Sequence, residues 1–373
     1  MSLGESDGLK DYRYEIGPIR PPSEASSLLL RVTRNCQWNR CLFCPVYKDT
    51  EFSIRPLSHV KHDIDLIRKY SDYLLNPSYQ IEIDEPLAYD SAMRWVGQSM
   101  KSVFLQDADS LVIGPHNLAS ILKHLKDNFP DLERVTSYSR SSTINKLSVE
   151  DLVLLKESGL TRIHVGLESG SDMVLKMVRK GASKDIHIRA GQKVKEAGIE
   201  LSEYIMPGLG GKSLSEDHAI ESADALNRIN PDFIRLRPIA FPIRAPIYTL
   251  VESGQFVRCD DLEIVHELHT FIQHLDGISS YLVSDHILNL FGDLNGQLPD
   301  EKEFMLSILT RFLDLDEDEQ MLYRFGRRLG MFNSLNDLNE STRRTRVKQI
   351  FSENNITPEN IDSLLDQMMQ RFI

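Results

Sequence analysis

The chain contains few cysteines and no long apolar run. Only four cysteines occur among 373 residues, which excludes the disulfide-rich scaffolds of small secreted proteins. No apolar segment approaches the roughly 18 residues that cross a bilayer, and the polar stretch MSLGESDGLKDY lacks the hydrophobic core of a signal peptide. The net charge of −12 argues against a general attraction to nucleic acid or to anionic membranes. We therefore expect a cytoplasmic protein without a membrane partner, and we do not expect nucleic acid as a partner.

Three of the four cysteines, Cys36, Cys41 and Cys44, fall in the short segment NCQWNRCLFCPVYK. A disulfide among them would leave one thiol over and would close a loop of a few residues, which stabilises little. Zinc normally takes four ligands, so a zinc site would need Cys259 or a histidine from elsewhere. Three thiolates can instead hold three corners of a [4Fe–4S] cluster and leave one iron open to another ligand. The cysteines alone favour iron–sulfur and leave zinc as the alternative.

Short apolar segments alternate with helical patterns along much of the chain. This alternation predicts an α/β fold with a parallel sheet and helices outside it, and six such units predict a partial (β/α)6 barrel. The loops after the strands would meet at one edge of the sheet, where such folds place their chemistry. The predicted strand segments are Leu28–Thr33, Ser102–Asp107, Arg134–Tyr138, Arg162–Gly170, Gly198–Gly211 and Pro231–Ile239.

Three regions are predicted along the chain. They are an N-terminal extension at residues 1–26, the partial barrel at 27–248 and a helical region at 249–373. A partial barrel of six units leaves one lateral side open for a substrate. We therefore expect the charged helical segment Asp300–Ile373 to pack near that opening and to shape substrate access, with simple stabilisation of the barrel as the alternative.

Some helix boundaries are predicted by local chemistry. Ser148 and Asp151 have the spacing of a capping box, and Pro86 is expected to start an added helix in the first crossover. Near the C-terminus, Thr357 is predicted as an N-cap with Pro358 at the first helical position.

Two motifs resemble the radical S-adenosylmethionine (radical SAM) superfamily. The segment CQWNRCLFC is similar to its cysteine motif, although four residues separate Cys36 from Cys41 where the usual motif has three. The gap between Cys41 and Cys44 fits the usual spacing. The segment GLESGSDMVLKMVRKG resembles the fourth-strand region of the branch containing oxygen-independent coproporphyrinogen oxidases and methylthiotransferases. The resemblance covers about Leu28–Tyr248 and implies a partial (β/α)6 barrel, here with a C-terminal helical extension.

The resemblance implies two cofactors and a reaction type. A [4Fe–4S] cluster held by Cys36, Cys41 and Cys44 would bind S-adenosylmethionine (SAM) at its open iron. Reductive cleavage of SAM would give a 5′-deoxyadenosyl radical that abstracts hydrogen from an unidentified substrate. Such an enzyme would be an oxidoreductase and would need a one-electron reductant such as flavodoxin or ferredoxin. The sequence assigns no catalytic residue for the substrate step.

The resemblance also implies which residues contact SAM. Glu168 matches a polar residue near the ribose or the amino group, with a structural ion pair as the alternative. The loop after the second strand would receive the amino group, the loop after the third would hold the ribose hydroxyls and carboxylate, and the fifth-strand segment would lie against adenine. An Asx turn in the first loop and a solvated arginine in the second are the alternatives. The contacts expected for the amino group are Asp107, Ala108 and Asp109. Those for the ribose hydroxyls and carboxylate are Ser137, Ser139 and Arg140, and those for adenine are Phe43, Met206, Pro207 and Gly208.

A different class of protein also fits the cysteines. The chain could be a non-catalytic iron–sulfur or zinc-binding α/β protein that carries electrons or binds a partner through its helical C-terminal part. Iron analysis and 5′-deoxyadenosine release would separate this alternative from a radical SAM enzyme.

Overall fold

The computed structural model describes residues 11–77 and 81–369. Residues 1–10 of the predicted N-terminal extension and 370–373 of the predicted C-terminal region lie outside the described residues. The strands are β1 (Leu28–Arg31), β2 (Thr33–Arg34), β3 (Ser53–Ile54), β4 (Ser102–Gln106), β5 (Arg134–Ser139), β6 (Arg162–Glu168), β7 (Glu200–Ile205), β8 (Phe233–Leu236), β9 (Tyr281–Val283) and β10 (Gly296–Gln297).

Helices follow most of these strands. They are α1 (Leu57–Leu75), α2 (Pro86–Val96), α3 (Pro115–Asn128), α4 (Ser141–Ile144), α5 (Val149–Glu157), α6 (Asp172–Met177), α7 (Lys184–Glu196), α8 (Gly211–Ile229), α9 (Ile247–Glu252), α10 (Asp261–His274), α11 (Lys302–Leu313), α12 (Glu317–Arg328), α13 (Ser341–Glu353) and α14 (Ile361–Met369).

Eight strands form one sheet in the order β1, β4, β5, β6, β7, β8, β9, β10, and β2 pairs with β3 separately. The pairs β1–β4, β4–β5, β5–β6, β7–β8 and β8–β9 are parallel, whereas β10 runs antiparallel to β9. The predicted α/β class with a parallel sheet is therefore confirmed. All six predicted strands are present, and the structure adds β9 and β10 after them.

The chain divides into two compact units that interleave along the sequence. The first unit contains the residues up to Asn39, Val46–Val165 and Arg189–Leu201. The second unit contains Arg40–Pro45, Gly166–Ile188 and the residues from Ser202 onward. These units are defined by contacts within the structure, whereas the three predicted regions are successive stretches of sequence. The three regions therefore stay a prediction.

The first unit buries the apolar face of α1 and the strands next to it. Val60, Ile64 and Ile67 recur at helical spacing on α1 and are fully buried, so this helix presents one apolar stripe to the core. On the same helix, Asp63 pairs with Arg55 at 2.5 Å, and both side chains are fully buried. Tyr12 donates its hydroxyl to Asp63 at 2.7 Å, which attaches the N-terminal segment to α1.

The second unit has its own core between the sheet and its helices. Helix α10 packs against both α8 and α11. Phe291, Phe312, Tyr323 and Phe332 form a buried aromatic group that joins α11 and α12 to the preceding loop. The C-terminal helices are therefore part of this unit's core.

Two of the three predicted helix starts are confirmed. Ser148 and Asp151 form the expected capping box at α5, and Pro86 is the first residue of α2. The third was wrong, because α14 begins at Ile361 and residues 358–360 form a turn before it. No helix in the described ranges combines the length and apolarity that a bilayer crossing requires.

Replacing Ser148 should weaken α5 measurably. The Ser148 hydroxyl accepts a hydrogen bond from the Asp151 amide at 3.1 Å, and losing such a cap costs about 1 kcal/mol. We expect Ser148→Ala to lower the free energy of unfolding by that amount in urea titrations. Ser352→Ala, at an exposed position on α13, is the matched control and should change it by less than about 0.5 kcal/mol. Equal effects of the two substitutions would contradict the capping role.

Candidate functional site

The cysteine segment is shared between the two units. Cys36 belongs to the first unit, whereas Cys41 and Cys44 belong to the second. Each thiol is partly exposed, and no disulfide occurs in the part of the chain that the structure describes. Three reduced thiols are the donor set that a [4Fe–4S] cluster with an open iron requires. The same ranges hold no group of three His, Cys, Asp or Glu side chains already arranged around a metal, so metal ligation by these cysteines stays a prediction.

In the first unit, Asp107 holds the start of the cysteine segment. One of its carboxylate oxygens accepts two hydrogen bonds from Arg31, at 2.9 and 2.7 Å, and one from the Asn35 amide at 2.9 Å. Burial raises the pKa of Asp107, although the Asn35 amide and the Arg31 charge oppose that rise. A side chain at Gly17 would place its Cβ 1.7 Å from the other oxygen, so only glycine allows this approach. Asp107 therefore fixes the residue before Cys36.

Asp109 forms a second buried site in the first unit. Its carboxylate accepts hydrogen bonds from Gln37 Nε2 at 2.7 Å, Ser139 Oγ at 2.8 Å and Thr143 Oγ1 at 2.5 Å. Burial raises the pKa of Asp109 to about 6, against the effect of the Thr143 and Ser139 hydrogen bonds and of the Arg140 charge. The structure thus brings a residue next to Cys36 together with the loops that follow β4 and β5.

The other predicted contacts of the first unit are placed differently. The Ser137 hydroxyl is buried and donates to the Tyr138 carbonyl at 2.9 Å. The Arg140 guanidinium lies over the Trp38 ring, 5.0 Å from its centre. Ala108 is partly exposed between the two buried aspartates. Within this unit, Arg140 thus joins Asp107 and Asp109 as a predicted contact whose side chain meets the cysteine segment.

In the second unit, Lys180 connects the cysteine segment to β6. The main chain of Leu42 donates to the Val178 carbonyl at 2.9 Å, which fixes the segment from Arg40 to Pro45 beside α6. Lys180 Nζ lies 5.7 Å from the centre of the Phe43 ring and 3.0 Å from Glu168 Oε1. A Cβ at Gly166 would lie 2.1 Å from the same Glu168 oxygen, so glycine permits this close approach. The structure therefore brings Phe43 and Glu168 together through a lysine.

Glu203 is a buried carboxyl group beside this lysine. It lies on β7 and is fully buried. Among the described residues, neither of its carboxylate oxygens has a hydrogen-bond partner. Burial raises the pKa of Glu203 well above its usual range. The Lys180 charge and the Leu167 main chain oppose the rise, and the Glu168 charge adds to it. A buried acceptor without a partner is costly, and a ligand with hydroxyl or amine donors would satisfy it.

The segment Met206–Gly208 is held on several sides within the second unit. Met206 donates its amide to the Glu168 carbonyl at 3.0 Å, and its own carbonyl accepts from His218 Nε2 at 3.1 Å. Gly208 donates its amide to Glu267 Oε1 at 2.7 Å. Pro207 accepts a hydrogen bond from the Ile239 amide at 3.0 Å. This strand end is therefore a fixed surface against which a flat ring could pack.

Sequence reasoning missed four residues of these sites, namely Gln37, Thr143, Lys180 and Glu203. In the sequence, Gln37 is only one of the four residues between Cys36 and Cys41, and nothing local indicates its partner. Lys180 lies inside the quoted segment GLESGSDMVLKMVRKG, so attention to its charged residues could have found it. Glu203 carried no local signal, because the strand sequence ELSEYI does not show which of its glutamates is buried.

The model of the Radical SAM superfamily matches residues 30–223, which is more than half of the 373 residues. The chain belongs to the radical SAM superfamily. This superfamily uses a [4Fe–4S] cluster and SAM, so the prediction of both cofactors is confirmed, as is that of an enzyme family. The variant cysteine spacing, the branch within the superfamily, the oxidoreductase class and the cytoplasmic location stay predictions.

Two curated proteins are similar over part of their length. A tRNA uridine(34) acetyltransferase from Methanocaldococcus infernus is 21% identical over 253 residues, covering 64% of this chain and 47% of that protein. A 4′-phospho-dehydrooxetanocin synthase from Priestia megaterium is 27% identical over 210 residues, covering 54% of this chain and 26% of that protein. The chain therefore spans half or less of the length of these relatives.

Solved structures of the superfamily are similar at a low level. The cobalamin-dependent S-adenosylmethionine radical enzyme OxsB, with aqua-cobalamin and SAM bound, has a TM-score of 0.45 and 13% identity, covering 92% of this chain and 54% of that chain. We assign no substrate and no additional cofactor from this similarity.

Asp109 should make stability depend on pH. Its pKa of about 6 in the folded protein exceeds the value of about 4 in an unfolded chain, so the folded state binds the extra proton. Ionisation therefore lowers stability as pH rises from about 4 through 6, by up to roughly 3 kcal/mol. In urea titrations at successive pH values across this range, the free energy of unfolding of Asp109→Asn should increase relative to that of the parent as pH rises.

The exposed Asp127 on α3 offers the matched control. We expect Asp127→Asn to follow the parent at every pH. A constant difference between Asp109→Asn and the parent from pH 4 to 7 would contradict the ionisation of Asp109 in this range.

Proposed function

We propose that the chain is a radical SAM enzyme that abstracts a hydrogen atom from a substrate still to be identified. Cys36, Cys41 and Cys44 would hold the [4Fe–4S] cluster, and SAM would bind at its open iron. When bound, these cofactors supply one electron and the 5′-deoxyadenosyl radical that takes the hydrogen atom. The observation that carries the proposal is the position of Lys180 in the second unit, beside both Phe43 of the cysteine segment and the carboxylate of Glu168.

The second unit offers groups that complement several parts of SAM. Lys180 is a cation that can pair with the methionine carboxylate. Glu203 has unused acceptor oxygens among the described residues, which suit the ribose hydroxyls, and Glu168 suits the ribose or the amino group. Phe43 provides an aromatic face for adenine, which packs favourably against flat rings. We assign these four residues to SAM binding on that basis.

The segment Met206–Pro207–Gly208 would lie against the adenine ring. Its main-chain groups are already bonded to Glu168, His218, Glu267 and Ile239, so binding would not need to order this segment. Preorganised surfaces of this kind cost little conformational entropy when a ligand binds.

In the first unit, Asp109 is the proposed acceptor for the SAM amino group. A cation nearby favours the ionised form of a carboxyl group, so amine binding would offset the cost of burying Asp109. Ser139 and Arg140 are proposed for the ribose hydroxyls and the carboxylate, with Ser137 and Ala108 completing the loop surfaces. Asp107 would act through Asn35, because one of its oxygens is already bonded to Arg31 and to the Asn35 amide.

The reaction also requires an electron donor and a substrate. We propose a cytoplasmic flavodoxin or ferredoxin as the one-electron reductant. The curated relatives are named for a tRNA uridine acetyltransferase and for an oxetanocin-related synthase, and these names imply different substrates. A net charge of −12 does not support RNA as the substrate here.

Removing the three cysteines should remove the cluster. We expect the Cys36→Ala, Cys41→Ala, Cys44→Ala triple variant, reconstituted anaerobically, to lose its iron, its sulfide and its visible absorbance. Cys259→Ala is the control and should retain all three, because Cys259 lies elsewhere in the sequence and burial raises its pKa to about 12. Full iron in the triple variant would refute the ligand assignment, and zinc without iron in the parent would favour a zinc-binding scaffold.

Replacing Glu203 should weaken SAM binding and leave the cluster intact. Glu203→Leu removes both acceptors, and we expect about a tenfold rise in the Kd for SAM, because a buried hydrogen bond contributes about 1 kcal/mol or more. Glu203→Gln keeps one acceptor and should bind SAM within about threefold of the parent. Equilibrium dialysis of the anaerobic protein measures both constants, and iron analysis confirms that the cluster is loaded.

The matched control for Glu203 is Glu216→Leu, at an exposed position on α8. It should bind SAM like the parent. If Glu203→Leu also binds SAM like the parent while thermal unfolding is unchanged, Glu203 is not part of the SAM site.

A further inference from the structure

The second unit contains a cavity that the proposed cofactor contacts do not fill. Its volume is about 430 Å³, within the range of roughly 300–1,000 Å³ that proteins use for small organic ligands. The walls come from the segment after β8, from α10 and the residues before it, from the loop after β9, and from α12 and α14. The cavity is therefore built by the C-terminal region together with the end of the sheet.

Most of the cavity wall is apolar. Aromatic rings and branched aliphatic side chains supply it, including Phe241, Phe256, Phe291, Ile264, Leu288 and Leu294. Such a wall favours a ligand with an apolar or aromatic body.

The charged groups of the wall neutralise one another. Asp261 accepts from Arg324 Nε at 2.9 Å and from Arg328 Nη2 at 3.0 Å. Arg324 also pairs with Asp362, and Arg258 pairs with Asp366. The two pairs of Asp261 are buried, whereas the Asp362 side chain is 60% exposed and the Arg258–Asp366 pair is partly exposed. A charged ligand that broke one of the Asp261 pairs would meet a strongly unfavourable cost. The wall therefore selects for a neutral ligand.

Two side chains of the wall retain an unused hydrogen-bonding atom. Asn289 is 4% exposed and Arg328 is 7% exposed. Across residues 11–77 and 81–369, no partner is found for the buried Oδ1 of Asn289 or for the buried Nε of Arg328. The wall thus has one acceptor and one donor to spare, and a hydroxyl or carboxamide group can use both.

The cavity adjoins the proposed cofactor site. Pro207, which belongs to the proposed adenine segment, lines it. Ile239 and Phe256 also line it, and both belong to a hydrophobic cluster against which Phe43 packs. A molecule in the cavity would therefore lie next to the segment that carries Cys44.

We propose that this cavity binds the substrate, a neutral and mainly apolar molecule that carries a hydroxyl or carboxamide group. The inference rests on the proposed function for its link to hydrogen abstraction, whereas the binding itself does not require the cluster. It also gives the C-terminal helices a role in shaping the substrate site.

The binding step can be tested with 2-naphthol, a neutral aromatic probe with one hydroxyl group. Calorimetric titration of the protein without iron should show one site per chain, and 2-naphthoate should bind at least tenfold more weakly. Ala240→Trp, which places an indole in the wall, should weaken 2-naphthol binding at least tenfold. Thr249→Trp, at an exposed position on α9 outside the wall, is the matched control and should bind like the parent.

The polar atoms and the link to the cofactor need separate measurements. Asn289→Leu should weaken 2-naphthol binding about threefold or more, with thermal unfolding measured to confirm that the variant is folded. In the anaerobic cluster-loaded protein, SAM should change the Kd for 2-naphthol at least threefold, and by linkage 2-naphthol should change the Kd for SAM equally.

The outcomes distinguish the two proposals. Equal binding of 2-naphthol by the parent and Ala240→Trp would overturn the cavity assignment, whether or not SAM is cleaved. Preference for 2-naphthoate would overturn the neutral chemistry. If SAM binds but leaves the Kd for 2-naphthol unchanged, the cavity is not the substrate site. Failure of the loaded protein to bind SAM, with 2-naphthol binding intact, would instead refute the proposed function.

Discussion

Burial of carboxylates on parallel strands and directly after them is the constraint on which the polar sites of both units depend. A charged group removed from water is costly unless other groups compensate for it. Asp107 is compensated by the Arg31 guanidinium and the Asn35 amide, and Asp109 by three neutral donors. The burial of Glu203 is offset by the nearby charge of Lys180 and by the Leu167 main chain, while the Glu168 charge adds to its cost. The least compensated group is therefore the one most in need of a ligand.

The same contacts explain how a widened cysteine gap can be well ordered. Of the four residues between Cys36 and Cys41, Gln37 bonds to Asp109 and Trp38 packs under Arg140. An insertion in a loop costs little chain entropy, but an insertion whose side chains make buried contacts also gains rigidity. The extra residue is thus accommodated by specific interactions within the first unit, so the unusual spacing is compatible with a fixed loop.

Sequence predicted the elements well where local chemistry determines them, and less well where distant residues do. The strands were found because short β-favouring segments alternate with helical patterns, and the start of α5 was found because Ser148 and Asp151 cap each other. Thr357 also looked like a cap, yet the helix begins at Ile361. Lys180 and Glu203 were missed because their role depends on partners elsewhere in the chain, which no local pattern reveals. Asp109 was found only through its place after a strand.

The C-terminal helices bury several of their charged side chains. Charged helices usually present their charges to water. Arg324 and Arg328 are instead almost fully buried around Asp261. Apolar residues could brace a helix at least as well, since buried ion pairs add little net stability. What such pairs provide is a fixed register, that is, a fixed position of each helix along its neighbours, because each guanidinium has a defined partner geometry. Fixed register is of most use where a helix must keep the shape of a cavity wall, which is the position that α12 and α14 occupy.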